Sequence, residues 1–463
     1  MDRKNVFYTN STQYHELLEQ TAQYAREYIE AVHDRKPFPG EKEIQALEQF
    51  NEELPQHGTD ASAVIRELFE VGAPATTAEN GGRFFGFVNG GLLPAAHAAQ
   101  WLADTWNQNC ALYAMSPTVS KLEEICEKWV VQLLGLEPQT AMGLVTGSSN
   151  ALICALAAAR NEMLRRQGYD VAEKGLRGAP PLRVVISEDA HSSVNAALSV
   201  LGFGSAEIER IPTDEQGRIR ISAVPELDNR TILIIQAGNV NGGSYDPIDE
   251  LCDLAKAAGA WVHVDGAFGL WAAASRKYRH LTKGMEKADS WSADAHKTLN
   301  AGYDCGIVLC RHRSALTSAL QASGAYIQYS AHRDGMLYTT EMSRRARAVP
   351  LWAVLKTLGA SGVEELIDTL CGNAEYFAGR LQEIGYQLVN PPAFNQFMVS
   401  CGSEGRTAKV LQLIQNSGVC WCGGSKWKGE SIIRVSVCSY ATTTEDIDKS
   451  VEAFRAAYQE VLA

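Results

Sequence analysis

The chain has 463 residues, is 46% hydrophobic and carries a formal net charge of -12. That length supports one large domain with a smaller one attached, and that acidity argues against nucleic acid or an anionic membrane surface as the main partner. No basic segment leads into an apolar one at the start and no apolar run is long enough to span a bilayer, so a cytoplasmic protein acting on a small metabolite is expected. The eleven cysteines are scattered, with Cys420 and Cys422 the only close pair, so neither a disulfide framework nor a metal site is expected.

Residues 14–33 place Leu18, Ala22, Ala25, Ile29 and Val32 near helical spacing, and Pro37 and Pro39 stop the pattern. An acidic, exposed stretch follows at 41–58, then a second helix over 62–71. Arg83, Phe84, Phe85, Gly86, Phe87 and Val88, with Asn89, Gly90 and Gly91, mix aromatics and glycines too densely for ordinary surface. They form either a buried loop or the mouth of a pocket, to which Phe85 and Asn89 would contribute. Helices are expected at 94–107 and 117–134.

Leu144 and Val145 end an apolar strand, Thr146, Gly147, Ser148 and Ser149 make a small-residue turn, and strong helix formers fill 151–165. Such a turn offers backbone N–H groups and the positive end of a helix dipole to a phosphate. A plain N-cap by Ser148 or Ser149 is the simpler alternative. Neither G-x-G-x-x-G nor G-x-x-x-x-G-K-[ST] occurs, so dinucleotide and P-loop readings lose their main support.

Residues 182–187 read as a buried strand leaving through Asp189, Ala190 and His191 into a helix over 194–200. An imidazole at such an exit either stacks on an aromatic cofactor ring or caps the helix. A second apolar run, 231–236, leads to Asn239 and Asn241. A helix over 248–259 follows, and 260–264 then runs into Asp265, Gly266 and Ala267. A carboxylate at the end of a buried strand is costly unless it meets a cation. A pyridinium nitrogen about 4 Å away would attract it by roughly 4 kcal/mol at an effective dielectric of about 20.

After one more strand come Asp294, Ala295, His296 and Lys297, set before a glycine-containing segment. A lysine in a cleft loses its proton readily, and the neutral amine forms an imine with an aldehyde. The natural aldehyde is pyridoxal phosphate, whose protonated ring is an electron sink. Further on, 325–341 is polar and without periodicity, and includes Tyr338. Two helices, 351–358 and 363–384, precede a small α+β end with strands at 397–401 and 432–437. Arg434 lies in the last of these, facing a substrate carboxylate or a protein acid.

Taken together, Asp189-Ala190-His191-Ser192-Ser193, His263-Val264-Asp265-Gly266-Ala267 and Asp294-Ala295-His296-Lys297 resemble the group II pyridoxal-phosphate-dependent amino acid decarboxylases. That family includes aromatic amino acid, glutamate and 2,4-diaminobutyrate decarboxylases, and the resemblance runs from about residue 83 to the C-terminal helix. It implies an α/β, aspartate-aminotransferase-like fold (fold type I). An N-terminal helical arm would occupy 1–95, a large cofactor domain with a mostly parallel seven-stranded sheet 96–349, and a small α+β domain 350–463. It also implies a homodimer with shared active sites.

The resemblance makes Lys297 the covalent anchor of the cofactor, sets Asp265 on the ring nitrogen and stacks His191 on the ring. Thr146, Gly147, Ser148 and Ser149 would hold the phosphate, with Asn239, Asn241, Ala267, Asp294 and His296 completing the cofactor shell. Phe85, Asn89 and Arg434 would face the substrate. The family's mobile loop covers the site of the neighbouring subunit and carries a tyrosine that protonates the product, here Tyr338, with Tyr329 as the alternative. Thr298 stands where members often have an aromatic residue, Gly266 where many have alanine, and Asn239 and Asn241 where threonines are common. These departures suggest a side branch. The implied reaction is decarboxylation of an L-amino acid to its amine. An aminotransferase and a decarboxylation-dependent aldehyde synthase would share the cofactor, while an inactive regulatory paralogue fits poorly with intact Lys297, Asp265 and His191.

Overall fold

The computed structural model describes residues 11–321 and 329–462. Its larger sheet contains β1 (Ala141–Val145), β2 (Arg183–Ser187), β3 (Ile208–Ile211), β4 (Thr231–Gln236), β5 (Trp261–Asp265), β6 (Ser290–Asp294) and β7 (Gly306–Cys310), in the order β1-β7-β6-β5-β4-β2-β3. β7 alone runs against its neighbours β1 and β6; the other pairings are parallel. Strands covered on both faces read as unbroken apolar runs, which is why β4 shows no alternation in the sequence. Along it Leu233 and Ile235 enter one core while Ile232 and Ile234 enter the other, beside Trp261 and the helix Ser148–Arg166. From β2 the chain steps outward to β3, and from β4 it steps the other way to β5. Their C-terminal ends therefore flank a change of direction, where an open α/β sheet leaves a crevice.

The second sheet is antiparallel, with β8 (Gln387–Asn390), β9 (Gln396–Ser400), β10 (Gly423–Trp427) and β11 (Glu430–Ser436) in the order β10-β11-β9-β8. Phe377, Phe397, Val435 and Phe454 build its core. The helix Ala348–Glu383 reaches from one sheet to the other and is broken at Gly359, whose φ is 61°. That break separates the two helices expected at 351–358 and 363–384. The N-terminal helix is Ser11–Ala31, and the second expected helix is Ala61–Glu67 extended by a π turn. Among the described residues, no helix is long and apolar enough to cross a membrane.

The polar stretch expected as a mobile loop begins in residues outside the described set, but 330–347 is anchored in the protein. Its arginines form a buried ion cluster with the helix Pro117–Leu133. Glu123, only 2% exposed, accepts from Arg333 Nε at 2.9 Å and Arg344 Nη1 at 2.8 Å, and Glu127 from Arg333 Nη1 at 2.8 Å. Burial alone would raise the Glu123 carboxyl, but Arg344 and Arg333 outweigh it and hold it below the ordinary 4.5. A folded-state pKa below the unfolded one gives stability that is present at neutral pH and lost as pH falls through the folded value. Glu123→Ala should therefore cost about 3–5 kcal/mol in urea unfolding at pH 7, because the buried Arg344 loses its carboxylate partner and Arg333 is left with Glu127 alone. The gap to wild type should narrow as the pH is taken below 4.5. A pH-independent loss would mean that packing, not charge, dominates there.

Candidate active site

The ends of β2, β4, β5 and β6 open on a cavity of about 310 Å³. Lys297 reaches it from the loop after β6, with Nζ 3.0 Å from Asp294 Oδ2. Thr298 Oγ1 donates to the Phe268 carbonyl at 2.8 Å and fixes the loop behind the lysine. Gly90 lies so close to the Lys297 carbonyl that any β-carbon there would overlap it, so the 84–91 segment can rest on the lysine's main chain only with glycine at this position.

Asp265 closes β5, buried, in register with Gln236 on one side and Ser292 on the other. Burial raises its pKa; the charges of His191 and Lys297 and the Ser292 hydroxyl, which donates to Oδ1 at 3.2 Å, act against the rise. No side chain among the described residues forms an ion pair with it. Gln236, also buried, lines the cavity, and its Nε2 has no hydrogen-bond partner among the described residues.

His191 lies at a helix start and at the cavity at once. It is the N-cap of the helix Ser192–Val200, with Nδ1 accepting from the Ser193 N–H at 3.2 Å, and it lines the cavity. With Nδ1 an acceptor, Nε2 carries the proton of the neutral ring. Burial lowers its pKa, the Asp265 charge opposes that, and Lys297 and Arg434 add to it. Arg434 approaches from β11, its pKa lowered by burial. Nη1 donates to the Val240 carbonyl at 3.0 Å, and no acid among the described residues pairs with the guanidinium.

Ser148 and Ala267 also line the cavity, whereas several other expected residues do not. Thr146 and Ser149 are exposed, and Gly147 packs against Gly306. Asp294 is buried behind Lys297, where Oδ1 accepts from the Ser148 N–H at 2.7 Å and Oδ2 from its hydroxyl at 2.9 Å. His296 accepts from the Cys305 N–H at 3.1 Å and stacks on Tyr303. Asn239 Oδ1 accepts from the amides of Asn241 and Gly242, and Asn241 Oδ1 from Ser425 Oγ. The two asparagines shape a turn and tie it to β10; they do not form the cavity wall.

Three expectations need correction. Phe85 is fully buried and packs edge-on against Phe377 in the core of the small sheet. Asn89 is held by Glu79 and Tyr303. Phe87 and Val88 line the cavity instead, at left-handed φ values of 55° and 62°. Tyr338 is also elsewhere. The Arg333 guanidinium sits 3.9 Å from its ring centroid, and its hydroxyl accepts from Arg313 Nη1 at 2.8 Å. The ion cluster thus holds Tyr338 buried inside its own subunit, not extended on a mobile loop. Sequence reasoning missed Gln236 as a wall residue; the available signal was a polar residue closing an otherwise apolar strand.

An amine, a buried carboxylate lacking a cation and an imidazole converge at the switch point of a mostly parallel sheet. That is the arrangement of a fold type I pyridoxal-phosphate enzyme, and the carboxylate and Gln236 Nε2, unpaired among the described residues, fit a polar aromatic cofactor. A family model described as the pyridoxal-dependent decarboxylase conserved domain matches residues 43–390, and the chain belongs to that family. An aromatic-L-amino-acid decarboxylase of Bacillus atrophaeus is 28% identical over 439 residues, covering 89% of this chain and 88% of that protein. A cysteine sulfinic acid decarboxylase of Mus musculus is 30% identical over 333 residues, 67% of this chain and 65% of that one. The crystal structure of Oryza sativa TDC with PLP and tryptamine shares the fold, with a TM-score of 0.89 at 21% identity over 98% of this chain and 99% of that chain. The protein is a pyridoxal-phosphate-dependent carboxy-lyase of the amino acid decarboxylase class.

The electrostatics give one direct test. In the cofactor-free protein the His191 ring should titrate below 6.5, its ordinary value, when followed by NMR. Asp265→Asn should lower the midpoint further, because it removes the charge that opposes desolvation. A midpoint that rises in this variant would contradict the coupling.

Proposed function

We propose that the protein removes the α-carboxyl group of an L-amino acid as CO₂ and releases the corresponding amine. The observation that carries this reading is Asp265, buried without an ion-pair partner among the described residues in the cavity that Lys297 and His191 share. When bound, pyridoxal phosphate supplies an electron sink for the charge left by the departing carboxylate. Asp265 would hold positive charge at the ring nitrogen. Lys297 would provide the anchoring amine and could carry a proton to the α-carbon. His191 would lie beside the ring and carries a proton on Nε2. With Tyr338 held in the ion cluster, His191 and the Lys297 amine are the proton carriers this reading assigns to the cavity.

Arg434 receives a substrate carboxylate, supported by its burial and its lack of an acidic partner among the described residues. Phe87, Val88 and Phe268 give the substrate side chain an apolar wall. Separate cores around the two sheets support a cofactor domain over 96–349 and a closing domain over 350–463, with 1–95 as an arm. Exposed Leu18, Ile29, Trp101, Leu102 and Trp106 form apolar surface on the arm and the helix Pro94–Trp106, and a second copy of the chain would cover it in a homodimer. Eleven free, buried thiols favour a reducing, cytoplasmic setting.

The purified protein should be yellow, and borohydride should fix the cofactor to Lys297. Incubation with aromatic and acidic L-amino acids should release CO₂ and amine in equal amounts from its substrate; aldehyde in place of amine would favour an aldehyde synthase. Lys297→Ala should lose turnover almost wholly. Asp265→Asn should lower kcat by roughly a thousandfold with little change in KM, since roughly 4 kcal/mol is at stake chiefly in the transition state. A fall below about tenfold would show that another group holds the ring proton. Arg434→Met should mainly raise KM, by on the order of a hundredfold for a lost charge-assisted hydrogen bond; an unchanged KM would remove Arg434 from substrate binding.

A further inference from the structure

Asn300, three residues beyond the anchoring lysine, is fully buried and has a left-handed φ of 52°. Its side-chain amide joins three separate stretches of chain. Nδ2 donates to the carbonyls of Lys297 at 3.2 Å, Thr298 at 3.0 Å and Cys438 at 3.0 Å. Oδ1 accepts from the Gly91 N–H at 2.6 Å and the Tyr440 N–H at 3.0 Å. The main chain reinforces the junction: the Asn300 N–H donates to the Lys297 carbonyl, and the Asn300 carbonyl accepts from the Leu93 N–H, both at 3.0 Å. Gly91 follows the cavity residues Phe87 and Val88, while Cys438 and Tyr440 follow β11, which carries Arg434. One amide therefore links the lysine loop, the cavity mouth and the strand bearing the guanidinium.

We infer that Asn300 is a positioning residue that sets the Lys297 main chain relative to the cavity mouth and β11, so that the lysine moves in step with the two elements that close over the substrate. The residue type follows from two simultaneous demands. Left-handed backbone favours glycine or asparagine. Three carbonyls and two N–H groups require a side chain that both donates and accepts. Glycine meets only the first demand. Aspartate meets the first and accepts from Gly91 and Tyr440, but it sets a charged oxygen against three carbonyl oxygens unless that oxygen is protonated.

This inference rests on Lys297 being the anchor, and the test separates the two. Holoprotein of wild type, Asn300→Gly and Asn300→Asp would be compared by circular dichroism, borohydride labelling of Lys297, the pH midpoint of the visible absorption band, and kcat and KM. Asn300→Gly should fold, stay yellow and be labelled at Lys297, yet its absorption midpoint should shift. Its kcat should fall on the order of tenfold to a hundredfold, with KM within about twofold, as expected for a misplaced reacting group. Asn300→Asp should be more defective at neutral pH and recover relative to wild type as pH falls, because a protonated carboxyl regains a donor; a purely packing role would show no such rescue. Unchanged kcat and absorption midpoint in Asn300→Gly, or a pH-independent defect in Asn300→Asp, would overturn the inference. Failure of both variants to fold would assign Asn300 to the scaffold and overturn it as well. A colourless wild-type protein, unlabelled at Lys297, would overturn the anchor reading itself and the inference with it.

Discussion

A carboxylate buried at the end of a parallel strand costs several kcal/mol unless charge or hydrogen bonds compensate it, and the cleft is arranged around that cost at Asp265. The compensation is incomplete. Ser292 donates one hydrogen bond to the carboxylate, and His263 sits behind Ser292 with Nε2 3.3 Å from its hydroxyl. Burial pushes His263 down to about 3, so it supplies a neutral partner and no charge. His191 is also pushed toward its neutral form. Lys297 makes its close ion pair with Asp294, leaving Asp265 one positive charge short. A pyridinium nitrogen at that place would supply the charge and support carbanion chemistry.

Asp294 answers a complementary problem. Lys297 Nζ lies 3.0 Å from Asp294 Oδ2, a favourable contact. If Lys297 anchored a cofactor, its nitrogen would no longer be free for this pair, which would leave a buried carboxylate stranded. Ser148 prevents this, because its N–H and hydroxyl, at the start of the helix Ser148–Arg166, already donate to Asp294. The helix end adds favourable potential for an anion at that place. Asp294 is thus solvated by protein dipoles and stays tolerable as the lysine changes state. The resemblance assigned Ser148 to the phosphate, but in this structure both of its donors serve the aspartate.

The charged residues at strand ends were legible because their burial is so costly that function is the usual reason for it. The strands too were legible, since β2 and β4 lie in continuous apolar runs. The cavity mouth was not. Gly86 lets the chain pass against the Trp421 ring, where any β-carbon would overlap, and Phe84 and Phe87 both stack on that ring. The turn around Trp421 thereby decides which phenylalanine faces the cavity, and Phe85 is sent to the opposite core. No local periodicity encodes that choice, because Trp421 lies more than three hundred residues downstream. Asn239 and Asn241 were misleading for a related reason: short amides next to a cleft serve equally well as turn formers.

Tyr338 shows where the missing information did lie in the sequence. An arginine-rich, aperiodic stretch reads as solvated loop, and with its tyrosine it invited a catalytic role. The contrary sign is upstream, on the helix Pro117–Leu133. Val119, Glu123, Cys126 and Val130 fall at spacings of three and four, so Glu123 shares the buried stripe with three apolar residues. An acid on such a stripe demands buried cations, and Arg333 and Arg344 supply them. Once they are drawn in, the intervening Tyr338 follows, its ring beneath Arg333 and its hydroxyl on Arg313. The role of the downstream stretch was set by one misplaced charge on a distant helix, and a search for polar residues on apolar stripes would have found it.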